Sequence, residues 1–188
     1  LNGGTLVLGS NSALGSGTLT ATNASVLDSN RAVTLGNAVL LDGGLLIGGS
    51  NALGLTGTIS GSGALAKNGA ANLTLGGNNS YSGGTVLNAG SLTLGHNAAL
   101  GSGALSVLGN TGLDTSTNLQ VANAIGLGAQ LTLGGSHDLT LSGALSGNGN
   151  LIKNGSGQLL LTGTSSYTGN TSVNAGSLTV NGSFASAN

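Results

Sequence analysis

Leu73-Thr74-Leu75-Gly76-Gly77-Asn78-Asn79-Ser80-Tyr81-Ser82-Gly83-Gly84-Thr85-Val86-Leu87-Asn88-Ala89-Gly90-Ser91-Leu92-Thr93-Leu94 is the stretch on which the reading of the fold turns. Its two leucine triplets alternate apolar and polar residues, a period-two strand signal, and the Gly, Asn and Ser between them are turn residues. Similar alternations recur at Leu6-Val7-Leu8, Leu53-Gly54-Leu55, Leu131-Thr132-Leu133, Leu139-Thr140-Leu141, Leu159-Leu160-Leu161 and Leu178-Thr179-Val180. The steps from Leu53 to Leu73 to Leu92, and from Leu139 to Leu159 to Leu178, are 20 and 19 residues. Helix is disfavoured, because Gly recurs too often and no 3.6-residue period persists.

A longer repeat lies over this short one. A gapless shift of 86 residues places Asn11–Gly17 (NSALGSG) on Asn97–Gly103 (NAALGSG), Lys67-Asn68-Gly69 on Lys153-Asn154-Gly155, and Tyr81 on Tyr167. Roughly 39 of the 86 aligned positions are identical, far more than shared composition produces. The chain therefore divides into units 1–86 and 87–172 and the start of a third, 173–188, within one segment, 1–188.

Short strands at this spacing predict an all-β fold, a parallel β-solenoid of about 20–22 residues per coil and roughly nine coils. Equivalent strands of successive coils then hydrogen-bond along the axis at about 4.8 Å, giving a rod of about 40 Å with four coils per long unit. Leu, Ile and Val stack inside, Thr, Ser and Asn face outward, and Gly and Asn turn the corners.

Composition narrows the function. Of 188 residues, 38 are Gly, only 4% are charged, 2% are aromatic, and Pro, Cys, Met and Trp are absent. Three cations, Arg31, Lys67 and Lys153, cannot make a phosphate-binding face, so no nucleic-acid partner is expected. No apolar run approaches the ~18 residues of a membrane span, and no basic amphipathic face is present, so direct membrane insertion of this segment is not expected. Collagen is excluded because Gly follows no three-residue period. A hydrophobic share of 38% with so little charge argues against disorder.

The residues quoted first resemble the autotransporter-associated β-strand repeat, also called the passenger-associated transport repeat. Leu73, Leu75, Gly77, Asn79, Tyr81, Gly83, Thr85, Leu87, Gly90, Leu92 and Leu94 stand at its fixed positions. A second copy follows with Leu159, Leu161, Gly163, Tyr167, Gly169, Thr171, Val173, Gly176, Leu178 and Val180, departing at Ser165 where Asn is usual; residues 1–9 match the tail of another. The resemblance implies part of the passenger of a type V secreted bacterial protein, typically a right-handed parallel β-helix displayed outside the outer membrane. It also implies a role in transport and folding of that passenger. The localisation implied is extracellular or at the bacterial cell surface.

Candidate chemistry is sparse. Ser136-His137-Asp138 sets triad residue types side by side, but consecutive strand residues point to opposite faces, so a surface turn is expected. His96 and His137, the only imidazoles, lack the converging partners of a zinc site. Asp28, Arg31 and Asp42 form the densest charged group; an exposed ion pair or turn cap between Asp28 and Arg31 is the expected reading. Asp114 repeats Asp28, but Thr117 replaces Arg31 and Gly128 replaces Asp42. Gly61-Ser62-Gly63-Ala64-Leu65-Ala66 imitates a dinucleotide fingerprint, but the residues that follow, Lys67-Asn68-Gly69, read as a turn and not as the helix such a site needs, so the stretch is read as a corner. Tyr81 and Tyr167 are expected at a repeated corner, their hydroxyls bonded to backbone, rather than as a sugar-stacking platform. No catalytic residue, metal or cofactor is expected.

The expected function is a non-enzymatic stalk or scaffold supporting secretion, surface display and adhesion. A self-assembling extracellular fibre and a fragment of a carbohydrate-active β-helix enzyme are the alternatives. Host surfaces, polysaccharide and further copies stacked head to tail are the partners such a rod could meet. Solenoid ends normally need caps; Phe184 is a candidate to cover the last coil, but nothing in the sequence resembles a full cap.

Overall fold

The computed structural model describes residues 1–183, and every regular element among them is a short strand; no helix occurs. The strands stack into three parallel faces, and the chain visits the faces in constant order, coil after coil, for about nine turns. The first face holds Thr5–Leu8, Ser25–Ser29, Leu45–Ile47, Leu65–Lys67, Thr85–Leu87, Leu105–Val107, Ile125–Leu127 and Leu145–Gly147. The second holds Val33–Leu35, Leu53–Leu55, Asn72–Leu75, Ser91–Leu94, Thr111–Thr115, Leu131–Leu133, Leu151–Lys153 and Thr171–Val173. The third comes in two blocks. Leu19–Ala21, Val39–Leu41 and Ile59–Gly61 form one; Leu119–Val121, Leu139–Leu141, Gln158–Leu161 and Ser177–Val180 form the other.

Most strands follow an in–out–in pattern, as three residues on a pleated ribbon must when one face is dry. The inward residues stand in columns along the axis. One column of the second face reads Val33, Leu53, Leu73, Leu92, Leu113 and Leu133, and all six are buried. Most registers give coils of 20 residues, as from Leu45 to Leu65; the steps from Leu73 to Leu92 and from Leu159 to Leu178 are 19, and those from Leu6 to Leu27 and from Leu92 to Leu113 are 21. The coil is thus at the short end of the expected range.

The gap in the third face is filled by two substitutes for a strand. Asn79, Ser80 and Tyr81 lie over Ile59–Gly61, and a turn through residues 96–101 lies over them in the next coil. That turn belongs to the NAALGSG sequence; its counterpart NSALGSG replaces the second-face strand of the first coil. Both turns close through local bonds, Gly15 N–H to Ser12 O at 3.0 Å and Gly101 N–H to Ala98 O at 3.0 Å. Each is clasped by an asparagine one coil later. The Asn37 amide donates to Gly15 O (3.0 Å) and Gly17 O (2.7 Å), and the Asn123 amide repeats this on Gly101 O and Gly103 O at the same two distances.

The long repeat is not a whole number of coils. Leu65–Lys67 lies on the first face, yet Leu151–Lys153, 86 residues later, lies on the second. Leu53–Leu55 lies on the second face and Leu139–Leu141 on the third; Val39–Leu41 lies on the third and Ile125–Leu127 on the first. Every named strand of the first unit moves forward one face in the second, so a unit spans four and a third coils rather than the four expected. Equivalent residues of the two units are therefore a third of a turn apart around the axis. Phe184 lies outside the described residues.

Leu141→Ala, at an inward position 1% exposed, is expected to lower the unfolding free energy by about 2–5 kcal/mol. Thr140→Ala, on the outward position beside it, is expected to change it by no more than about 0.5 kcal/mol. Urea titration followed by circular dichroism measures both.

Candidate functional site

The fixed positions of the repeat motif converge on the gap in the third face. Asn79 uses its amide group where a strand would use backbone. Its Oδ1 accepts the Ile59 N–H at 2.8 Å from the coil before, and its Nδ2 donates to Ala99 O at 2.7 Å in the coil after. One side chain thus joins three coils where no ladder exists. Tyr81 turns inward and is 0% exposed, and its hydroxyl meets Thr85 Oγ1 at 2.5 Å. The partner is a side chain and not the backbone that was expected. In the Tyr-x-Gly-x-Thr spacing the five residues 81–85 carry the chain round the corner onto the first face, where Thr85 meets the Tyr81 hydroxyl. The intervening Gly83 is needed for close approach, since a Cβ there would lie 2.4 Å from the carbonyl carbon of Gly63. Burial pushes the Tyr81 hydroxyl up to about 12, against a smaller opposing effect of the Thr85 bond.

In the second copy Tyr167 repeats the bond to Thr171, half-exposed. Ser165, standing for Asn79, is too short to bridge: Leu145 N–H goes instead to Thr164 O at 3.1 Å, and among the described residues Ser165 Oγ has no partner.

Two lysines occupy inward positions. Lys67 stands in the column between Ile47 and Leu87, and Lys153 between Leu133 and Val173. Both are buried, at 0% and 4% exposure. Each ammonium turns toward the corner and donates to the carbonyl of the glycine two residues on, Gly69 or Gly155; Lys67 also reaches Ala89 O at 3.4 Å. The sequence reading treated Lys-Asn-Gly as a turn and missed the inward lysine. The available signal was the alternation itself, since in Leu65-Ala66-Lys67 the lysine shares the phase of the leucine. Burial lowers the pKa of both lysines, partly offset by Asp28 near Lys67 and by Asp138 near Lys153.

The remaining candidates serve corners. His137 Nδ1 faces Thr115 O at 2.9 Å in the coil before, while Asp138 Oδ1 accepts from Gln158 N–H at 2.8 Å in the coil after. Imidazole and carboxylate are thus committed to opposite neighbours, and Ser136-His137-Asp138 is a corner as expected. Asn51, the first unit's counterpart of His137, makes the same contact on Ser29 O at 2.8 Å. His96 Nδ1 accepts the Ala98 N–H at 3.0 Å inside its turn. Asp28 accepts from Ser29 N–H, Ser50 N–H and Ser50 Oγ and does not pair with Arg31. Burial, which alone would raise its pKa, is outweighed by these bonds, and the carboxyl sits below its ordinary value. Asp42 is exposed at another corner, after Val39–Leu41. Gly61–Ala66 runs from one strand into the next and is a corner without a helix. Among the described residues no group of three or more metal-ligating acidic, histidine or cysteine side chains comes together.

The sequence model of one family, described as the passenger-associated-transport-repeat, matches residues 65–94 and 151–180. These stretches contain the Lys-Asn-Gly corners, the Asn79 and Ser165 positions and both tyrosines. No curated protein and no solved structure matches the chain. The chain is thus a β-solenoid that carries the passenger repeat twice, on faces a third of a turn apart.

The buried lysines and tyrosine set opposite slopes in alkaline stability. Lowered lysine pKa values mean that the unfolded chain binds more protons, so stability rises as pH climbs toward 10.5. A raised tyrosine pKa reverses this from 10 to about 12, where the unfolded phenol ionises first. Denaturant melts across pH 7–12 are expected to show a rise and then a fall. The double variant Lys67→Met, Lys153→Met should lose the rise, and Tyr81→Phe should flatten the fall. Tyr81→Phe also strands the buried Thr85 hydroxyl, lowering stability by about 1–3 kcal/mol at pH 7.

Proposed function

We propose that this segment is a structural section of a bacterial autotransporter passenger, a stiff scaffold whose coils assemble in order as the chain emerges outside the outer membrane. The observation that carries the reading is the coil-to-coil hydrogen bonding. Thr56 N–H donates back to Leu35 O at 2.9 Å, and Leu45 N–H donates forward to Ala64 O at 2.9 Å, so each coil is satisfied by both neighbours. An emerging coil finds a template in the one already formed, and once docked it resists sliding back. Low charge favours this: little ionic desolvation opposes docking, and a chain without Cys cannot crosslink before it folds.

The role is structural rather than catalytic. Asp28, Asp138, His96 and His137 are engaged with backbone groups of turns and neighbouring coils, and glycoside hydrolysis needs a facing pair of carboxyl groups. Secretion outside the cell, display at its surface and adhesion through outward residues follow from the passenger reading. End-to-end contact with further coils, whether of the same chain or of another copy, is the association a stacked parallel fold supports.

The test replaces Leu92 and Leu94, both 0% exposed, with Gly in the protein that carries this segment, and follows passenger arrival by external protease on intact cells. Hydrogen exchange on the purified segment verifies that the coil is open. Surface passenger is expected to fall several-fold. Unchanged arrival with the coil demonstrably open would overturn the reading.

A further inference from the structure

The third-of-a-turn shift supplies an internal control on the surface. Positions that the scaffold requires are kept between units; an outward position that changes character is free of that requirement. Asp28 and Asp114 are equivalent and both lie on strands, the first on face one and the second on face two. Around Asp28 the outward neighbours are apolar: Val7 opposite it on the strand before, Val26 beside it, and Leu46 on the strand after. Around Asp114 the same three places hold Thr93, Gly112 and Thr132. An apolar strip in one unit has become a hydroxyl-lined trough in the other on the same backbone.

The trough is a groove open to solvent, with a volume of about 380 Å³. Gly112 and Gly134 floor it; a Cβ at Gly112 would come within 3.3 Å of Ser91 Cβ. On its far side Asn72 Oδ1 gathers Ser91 Oγ at 2.9 Å and Thr93 Oγ1 at 3.1 Å, aligning these hydroxyls along the groove. The carboxylates differ as well. Asp28 has Ser50 on both oxygens, whereas Asp114 keeps, among the described residues, only the Thr115 N–H bond at 2.6 Å.

We propose that this trough binds a neutral sugar, with Asp114 accepting from a pair of adjacent ring hydroxyls and Thr93 and Thr132 completing the polar contacts. A carboxylate with a free oxygen makes charge-assisted bonds to hydroxyl donors, and threonine hydroxyls both give and accept. With Asp114 the only charged lining group, an anionic ligand is repelled. One carboxylate is too few for a calcium cage. The glycine floor admits a ring close to the backbone, and the groove crosses four successive strands, roughly 14 Å at the usual strand spacing, enough for more than one sugar ring. No aromatic ring lines it, so roughly millimolar affinity is expected.

The experiment is amide NMR on the isotope-labelled full chain. It is titrated with glucose, galactose, mannose, N-acetylglucosamine and their common disaccharides, with glucuronic acid as the anionic comparison. At least one neutral sugar is expected to shift the amides of Ser91, Thr93, Gly112, Asp114 and Thr132 saturably, and glucuronic acid to leave them still. Asp114→Asn should weaken binding about tenfold or more, the fold-change that follows loss of a bond to a charged group. The double variant Gly112→Val, Thr132→Leu restores the first unit's residues, which this backbone already carries at Val26 and Leu46; it should abolish binding while amides elsewhere keep their positions. No saturable shift with any neutral sugar up to its solubility, or equal binding by both variants and the parent, would overturn the proposal.

Discussion

Hydrogen bonding between stacked coils governs this molecule, because it forces every coil to bring the chain back to the same face at the same height. The backbone donors of one turn find acceptors only if the turn above has the same perimeter. Coil lengths accordingly stay within one residue of 20, and the 19-residue step from Leu73 to Leu92 is followed by the 21-residue step to Leu113. Each inward position then recurs at the same place in the next coil, and a column of leucines is the simplest filling. Where a strand is missing, something must still answer the neighbours' backbone. Asn79 does so with its amide, and Asn37 and Asn123 do so for the two Asn-x-Ala-Leu-Gly-Ser-Gly turns.

The inward lysines obey the same constraint. Lys67 cannot leave its column without breaking the alternation of Leu65–Lys67, so its four-carbon stem fills the place of an aliphatic side chain while the ammonium is led to corner carbonyls. The arrangement repeats in Lys153 with the same glycine partner, one face further round. Such a group costs stability as long as it is charged. It places a polar end at a corner where Gly69 O or Gly155 O would otherwise lack a donor.

Much of this was legible in the residues, and the limits of that reading have physical causes. Period-two triplets and 19- to 20-residue steps are direct imprints of pleat and perimeter, so strands, stacking and inward leucines could be read from spacing. The corner roles of His137 and of Gly61–Ala66 also followed, because neither had the surroundings its chemistry would need. The lysines escaped because Lys-Asn-Gly reads as punctuation when charge is weighed before phase. Asp28 was assigned to Arg31 by nearness in sequence, whereas its true partner, Ser50, is one coil away. The unit length was misjudged because self-alignment measures chain and not rotation; four coils and four and a third differ by a single face, which only the strand pairing reveals. The trough at Asp114 is invisible in the sequence for the same reason, since Asn72, Ser91, Gly112 and Thr132 meet only once coils are stacked.

The fractional unit length has a mechanical consequence. Each unit contains a compact turn standing where a strand would be, and such a turn interrupts the ladder of the face it falls on. Were the unit an integer number of coils, the turns of both units would break the same ladder. Because the unit runs a third of a revolution further, the turn at residues 10–15 falls on the second face and its counterpart at 96–101 on the third, so the damage is shared out and no single flank bears both breaks.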